Sequence, residues 1–198
     1  MDPAASLASP RFNEYIEHEV DRVLGALATL DAAGWRRPVA ACPGWDVREV
    51  VVHLAWLAEL YHACILKALG GSPTTPWADP MAERQRRLER KRSLADAALL
   101  SELRRSSQLL QELLARLTPE QYTFPAWHRR GQSTVGRHFV YWFWELGIHG
   151  WDIRSAFDRA AGFDPEARPV LVEMLATALP RYLRPEADPR LTATYHFV

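Results

Sequence analysis

Cysteine is nearly missing from this chain: Cys42 and Cys64 are the only two among 198 residues. Two are too few for a disulfide framework, and their spacing is not that of a CxxC metal or redox motif. A reducing compartment, the cytoplasm, is therefore the expected location. Net charge is missing as well, because 24 basic residues balance 24 acidic ones. That balance gives no reason to expect nucleic acid or an anionic membrane surface as partner. There is no run of about 18 apolar residues, so no membrane span is expected. Met1-Asp2-Pro3-Ala4-Ala5 has neither the basic start nor the apolar core of a secretion signal. Internal repeats and low-complexity segments are absent.

What is present is ordinary in amount and informative in order. At 22.6 kDa, with 48% hydrophobic and 24% charged residues, the chain suits one soluble domain with a real core. Ser9 as N-cap and Pro10 at the first helical position open a first helix. Its apolar residues, Phe12, Ile16, Val20, Val23, Leu24, Leu27 and Leu30, follow a helical period. Asp46, with Glu49 three residues on, resembles a capping box for a second helix to about Leu69. Gly70-Gly71-Ser72-Pro73, with Pro76 and Pro80 beyond, breaks the chain. A third helix gathers around Leu94 to Leu117, and Thr118 to Gln121 starts a short helical turn. Ser133 or Thr134 caps a fourth helix to about Ala160; Asp164-Pro165 opens a fifth, ended by Pro180. The last eight residues, Leu191 to Val198, read as a strand, for which no other segment offers a convincing partner. The expected fold is all-α: a four-helix bundle with one crossover linker, a short extra helix and a C-terminal strand.

The chemistry concentrates in two helices. Glu145 and His149 are four residues apart within an apolar helical stretch, so they share a face with Cβ atoms roughly 5–6 Å apart. A carboxylate and an imidazole so placed can hold one divalent metal, which normally needs a third protein ligand. His53, inside the apolar Val50–Trp56 stretch of the second helix, is the candidate. His138, Trp142, Glu145, His149 and Asp152 form one stripe in 4-3-4-3 steps, and such stripes usually face the core. A metal would satisfy the otherwise costly buried Glu145 and His149 together. The alternative is structural: Glu145 pairs with an arginine and His149 is a satisfied core histidine.

Cys42-Pro43-Gly44-Trp45-Asp46-Val47-Arg48-Glu49-Val50-Val51-Val52-His53-Leu54, followed about ninety positions later by Glu145-Leu146-Gly147-Ile148-His149-Gly150-Trp151-Asp152, resembles the metal-binding domain of the mycothiol-dependent maleylpyruvate isomerase family. That family belongs to the DinB-like four-helix-bundle superfamily. The resemblance covers residues 10 to about 180. It implies that His53, Glu145 and His149 ligate zinc and that mycothiol or another small thiol is a cofactor. It also implies a divide between a bundle over residues 1–185 and, over 186–198, the start of a truncated or absent C-terminal α/β domain. Two imidazoles and a carboxylate leave a divalent zinc ion with an open position, where a thiol would lose its proton and become nucleophilic.

The remaining candidates have two readings each. Asp152 either accepts the free N–H of a liganding imidazole or forms a salt bridge with Arg154. His138 is about 10 Å along the axis from Glu145, too far for the same metal, which leaves a pocket wall, substrate contact or core role. Trp56 and Trp142 fall near His53 and Glu145 by helical spacing and are the candidate pocket tryptophans. Cys42, just before the second helix, is read as a structural or bystander cysteine. The basic run Arg84 to Arg92 is read as a solvated helix face or linker, with an arginine or two able to meet an anionic substrate. The leading expectation is a thiol-dependent zinc isomerase or S-transferase acting on a small electrophile, as monomer or homodimer. The alternative is a non-catalytic metal- or ligand-binding bundle module.

Overall fold

The computed structural model describes residues 10–175 apart from 166 and 173. Helix α1 spans Pro10–Ala28, α2 Ala32–Trp35, α3 Val47–Leu69, α4 Pro80–Arg92, α5 Asp96–Leu114 and α6 Val135–Ser155. A 3-10 turn, Gln121–Thr123, precedes a hairpin of β1 (Pro125–His128) and β2 (Gly131–Thr134). Helical residues 168–172 and 174–175 follow, where the fifth helix is expected. The expected Ser9 cap, the stop at Pro180, the segment 186–198 and the strand from Leu191 lie outside the described residues.

The bundle is a closed ring in which α1 packs on α5 and α6, and α3 packs on the same two helices. The first helix buries Ile16, Val20, Val23, Leu24 and Leu27 of the set its period predicts, while Leu30 lies beyond its end and is half-buried. Helix α3 is the apolar centre, with Val50, Leu54, Ala55, Ala58 and Ile65 all without exposure. By length and composition α3 could cross a membrane, yet 67% of its most apolar window is buried inside the bundle. Its role in the fold is that of a core helix. The Asp46 carboxylate caps it, accepting the Glu49 N–H at 2.8 Å, which contributes about 1 kcal/mol. Glu49 does not complete the reciprocal box; its carboxylate takes Arg92 of α4 at 2.8 Å.

Two elements differ from expectation. The crossover is not a linker alone, because residues 80–92 form a helix capped by Asp79 with Pro80 at its start. Its basic run is largely engaged within the chain: Arg87 with Glu59 and Glu83, Arg90 with Glu102, and Lys91 with Glu59 and Glu102. Lys91 is wholly buried, its ammonium 2.6 Å from Glu59. The second difference is the β1–β2 hairpin, paired antiparallel from Pro125↔Thr134 to His128↔Gly131. It lies on α3 and feeds directly into α6.

Candidate metal centre

Helix α6 begins where Thr134 Oγ1 accepts the Arg137 N–H at 3.3 Å, one of the two expected caps. From that start the helix carries Glu145 and His149 toward α3, which presents His53. His53 Nε2 lies 3.2 Å from Glu145 Oε2, and His149 Nε2 lies 3.3 Å from the same oxygen. The two imidazoles meet edge to face with centroids 5.0 Å apart. Donor atoms of His53, Glu145 and His149 all lie within 4.8 Å of one another. Each of the three side chains is half-buried, so the cluster opens to one side.

Asp152 supports this cluster from behind. It is 1% exposed, and its Oδ2 accepts from His149 Nδ1 at 2.7 Å. Of the two readings of Asp152, the imidazole partner is therefore the one observed; Arg154 donates to Glu19 of α1 instead, at 2.5 Å. With Nδ1 engaged by Asp152, Nε2 of His149 is the nitrogen that faces Glu145 and His53. A carboxylate on the far nitrogen fixes the ring and raises its basicity, the arrangement that metal-binding histidines usually show. Two imidazole nitrogens and a carboxylate oxygen are a donor set that zinc accepts, with a position left over. The donors on the page thus fit a divalent cation.

The charges are linked. Burial works against an ionised Glu145, but hydrogen bonds from His149 and His53 and their positive charge hold its carboxyl down at about 2. Burial likewise works against a charged His149, yet hydrogen bonds to Asp152 and Glu145 push it up to about 9. Without a metal, His149 is therefore an imidazolium at neutral pH, donating from both nitrogens to carboxylates. A proton there occupies the place a cation would take.

Two loop residues complete the site, and periodicity did not single out either. Trp45 packs on both ligating rings, 5.2 Å from His53 and 6.1 Å from His149, stacked on the latter at 30°. Cys42 Sγ lies 3.5 Å from Asp152 Oδ2, and Cys42, His149 and Asp152 form a second close group of ligand-type side chains. Burial first, and then the Asp152 carboxylate, raise the Cys42 thiol to about 11. It is a protonated S–H donor to Asp152 rather than a nucleophile. The turn that holds both residues is legible: Trp45 N–H bonds Cys42 O at 2.9 Å across Pro43 and Gly44, and Gly44 has φ +84°. Proline second and left-handed glycine third are the signature of a type II turn.

The other expected site residues sit elsewhere. Trp142 is wholly buried in the core and offers no surface to a ligand; its indole nitrogen has no partner among the described residues. Trp56, 4% exposed, packs on Trp77 at 5.3 Å. The tryptophan that packs on the two imidazoles is Trp45. His138 is a satisfied core histidine, 1% exposed, with Nδ1 at 3.0 Å from Thr134 O and Nε2 at 2.9 Å from Trp127 O. Burial lowers its pKa below the ordinary value, against those two hydrogen bonds.

Two crystal structures share the fold: mycothiol-dependent maleylpyruvate isomerase and a mutant of it, each with TM-score 0.67. They are 18% and 17% identical to this chain, respectively; each match covers 83% of this chain and 66% of the other. The chain thus spans 66% of the length of those structures. No curated protein matches it. The profile of the mycothiol maleylpyruvate isomerase N-terminal domain matches residues 16–154, a span that holds the bundle helices, Trp45, His53, Glu145, His149 and Asp152. On that match, the chain belongs to the mycothiol maleylpyruvate isomerase N-terminal domain family.

Proposed function

We propose that His53, Glu145 and His149 hold a divalent metal, zinc by its preference for this donor set, and that the site serves thiol-dependent chemistry on a small electrophile. The convergence of the three donors within 4.8 Å, from two helices far apart in sequence, carries this reading. Family membership supports mycothiol, or a thiol of similar size, as the cosubstrate. A divalent cation at this site supplies the charge that deprotonates an incoming thiol at neutral pH. The protein's own residues do the rest. Asp152 fixes the His149 ring and keeps its proton on Nδ1, so that Nε2 is free to bind. Trp45 walls one side of the pair of imidazoles and limits water there. The Cys42 S–H holds the Asp152 carboxylate in place without competing as a nucleophile. Addition of the thiol and its later expulsion would give isomerisation; retention of the bond would give an S-transferase.

Metal analysis of the purified chain, with His53→Ala and Glu145→Ala, tests the site. About one zinc per chain is expected in the parent, with loss in both variants; Asp152→Asn should weaken binding about 10–100-fold. A parent that purifies and dialyses free of metal would show instead that the cluster is a plain His–Glu–His ion-pair network. Zinc bound without turnover of any maleyl-type acceptor by mycothiol would identify a binding module.

A further inference from the structure

The β1–β2 hairpin, which lies on α3 and leads into α6, ends in two consecutive arginines. Register His128↔Gly131 leaves Arg129 and Arg130 as its two-residue tip, both exposed. The tip is held in place. His128 Nδ1 accepts the Arg130 backbone N–H at 3.3 Å, and the His128 ring stacks on Tyr141 at 4.7 Å and 30°. Tyr141 is one helical turn before Glu145 on the same face of α6. Tyr61, two turns after His53 on α3, lies 6.5 Å from Tyr141 and 5.6 Å from His138. The half-buried Tyr141 and His128, backed by the buried Tyr61, therefore form an aromatic path from the candidate ligands to the arginine tip.

The electrostatics follow the same path. Burial raises the Tyr61 phenol well above its usual value; the Glu145 carboxylate adds to this and the Arg129 guanidinium opposes it. Burial holds His128 down at about 4, helped by His138, Arg129 and Arg130 and opposed by Glu145. The Arg129 guanidinium and the Glu145 carboxylate thus act in opposite senses on the same two side chains. Arg129 also differs from four of the five α4 arginines, Arg84 being the exception. Arg86, Arg87, Arg90 and Arg92 each pair with a glutamate of the chain, whereas Arg129 has no carboxylate partner among the described residues.

We propose that Arg129 is a specificity-determining residue that pairs with a carboxylate of an anionic substrate bound beside His53, Glu145 and His149. The proposal rests on the reading of that cluster as the reaction site. A guanidinium suits the task because its planar fork matches a carboxylate and keeps its charge at every relevant pH. The backbone bond from Arg130 to His128 orders the main chain of the tip, so less loop ordering is left to oppose binding.

Calorimetric titration of the full chain with the succinate dianion and with neutral succinamide tests the idea apart from turnover. In the zinc-loaded parent, succinate should bind more tightly than succinamide, and more weakly as salt rises. Arg129→Ala should weaken succinate by about tenfold, leave succinamide unchanged and leave zinc content unchanged; Arg129→Lys should recover part of the loss. Equal succinate binding by parent and Arg129→Ala, no preference for succinate in the parent, or no detectable succinate binding would each overturn the assignment. Zinc content is read separately, so a parent that holds no zinc defeats the metal reading alone. Succinate titrated into that metal-free chain still decides Arg129 by the same comparison.

Discussion

Gly44 is the residue on which the loop side of the site turns. Its φ of +84° is left-handed, and the turn it completes places Cys42 against Asp152 and Trp45 against the two imidazoles. A Cβ at Gly44 would meet nothing within 4 Å, so the cost of Gly44→Ala is conformational rather than steric. The substitution should lower stability by about 1 kcal/mol, read by urea unfolding with unchanged slope. A neutral result would mean that the turn is not strained in the way its angle indicates. Glu145, His149 and Asp152 were legible as one face because helical period fixes which way a side chain points; His53 was a candidate whose place beside them the family resemblance implied. Trp45 and Cys42 were not legible, because no period governs a turn. Trp56 and Trp142 show the reverse error: spacing put them near the ligands along the axis but could not say that Trp142 turns wholly into the core.

At the level of elements, α1 and α6 approach closely at Gly150. A Cβ there would overlap Glu19 Oε1 and lie 2.9 Å from Val23 Cγ2, both on α1. Val23 is completely buried and Glu19 is locked to Arg154, so neither can yield easily. Alanine is the better helix former by about 1 kcal/mol, but the clash opposes that gain. Gly150→Ala should therefore destabilise the protein by about 1–3 kcal/mol, measured by thermal or denaturant unfolding. Stabilisation by this change would mean that the helices do not pack as described. The four bundle helices were legible from their periods and caps. The β1–β2 hairpin was not, because four residues per strand are too short for alternation to register, and its strands gain definition only against α3 and α6. Helix α4 was legible as a charged face but not as a packing element. Nothing in a run of arginines and lysines marks Lys91 as the one that is buried between Glu59 and Glu102.

For the whole molecule, the charged cluster predicts how stability depends on pH. His149 is raised from 6.5 to about 9, so its contribution is full below pH 6.5 and is lost as pH rises through about 9. Burial and neighbouring cations lower His128 from 6.5 to about 4, so the folded state loses stability as pH falls from 6.5 toward 4. Glu145, lowered from 4.5 to about 2, adds a further loss in stronger acid. The metal-free chain should thus be most stable near pH 6.5, with melting temperature falling on both sides. Saturating zinc should remove the alkaline fall, since the metal takes the neutral form of His149, and should leave the acid fall due to His128. An alkaline limb that persists with zinc bound would contradict the assignment of His149 as a ligand.

The order of apolar residues, the caps at Asp46 and Thr134, and the four-residue spacing of Glu145 and His149 determined the helices and which face each presents. These are local properties: side chains on one helix have directions fixed by the backbone that carries them. Tertiary packing alone decided that His53 of α3 would meet that pair, that Trp45 of the Cys42–Trp45 turn would pack on both imidazoles, and that a hairpin ending in Arg129 and Arg130 would lie on α3. Those meetings join residues distant in the chain, and their distances depend on how helices of known face rotate and slide until the core is filled.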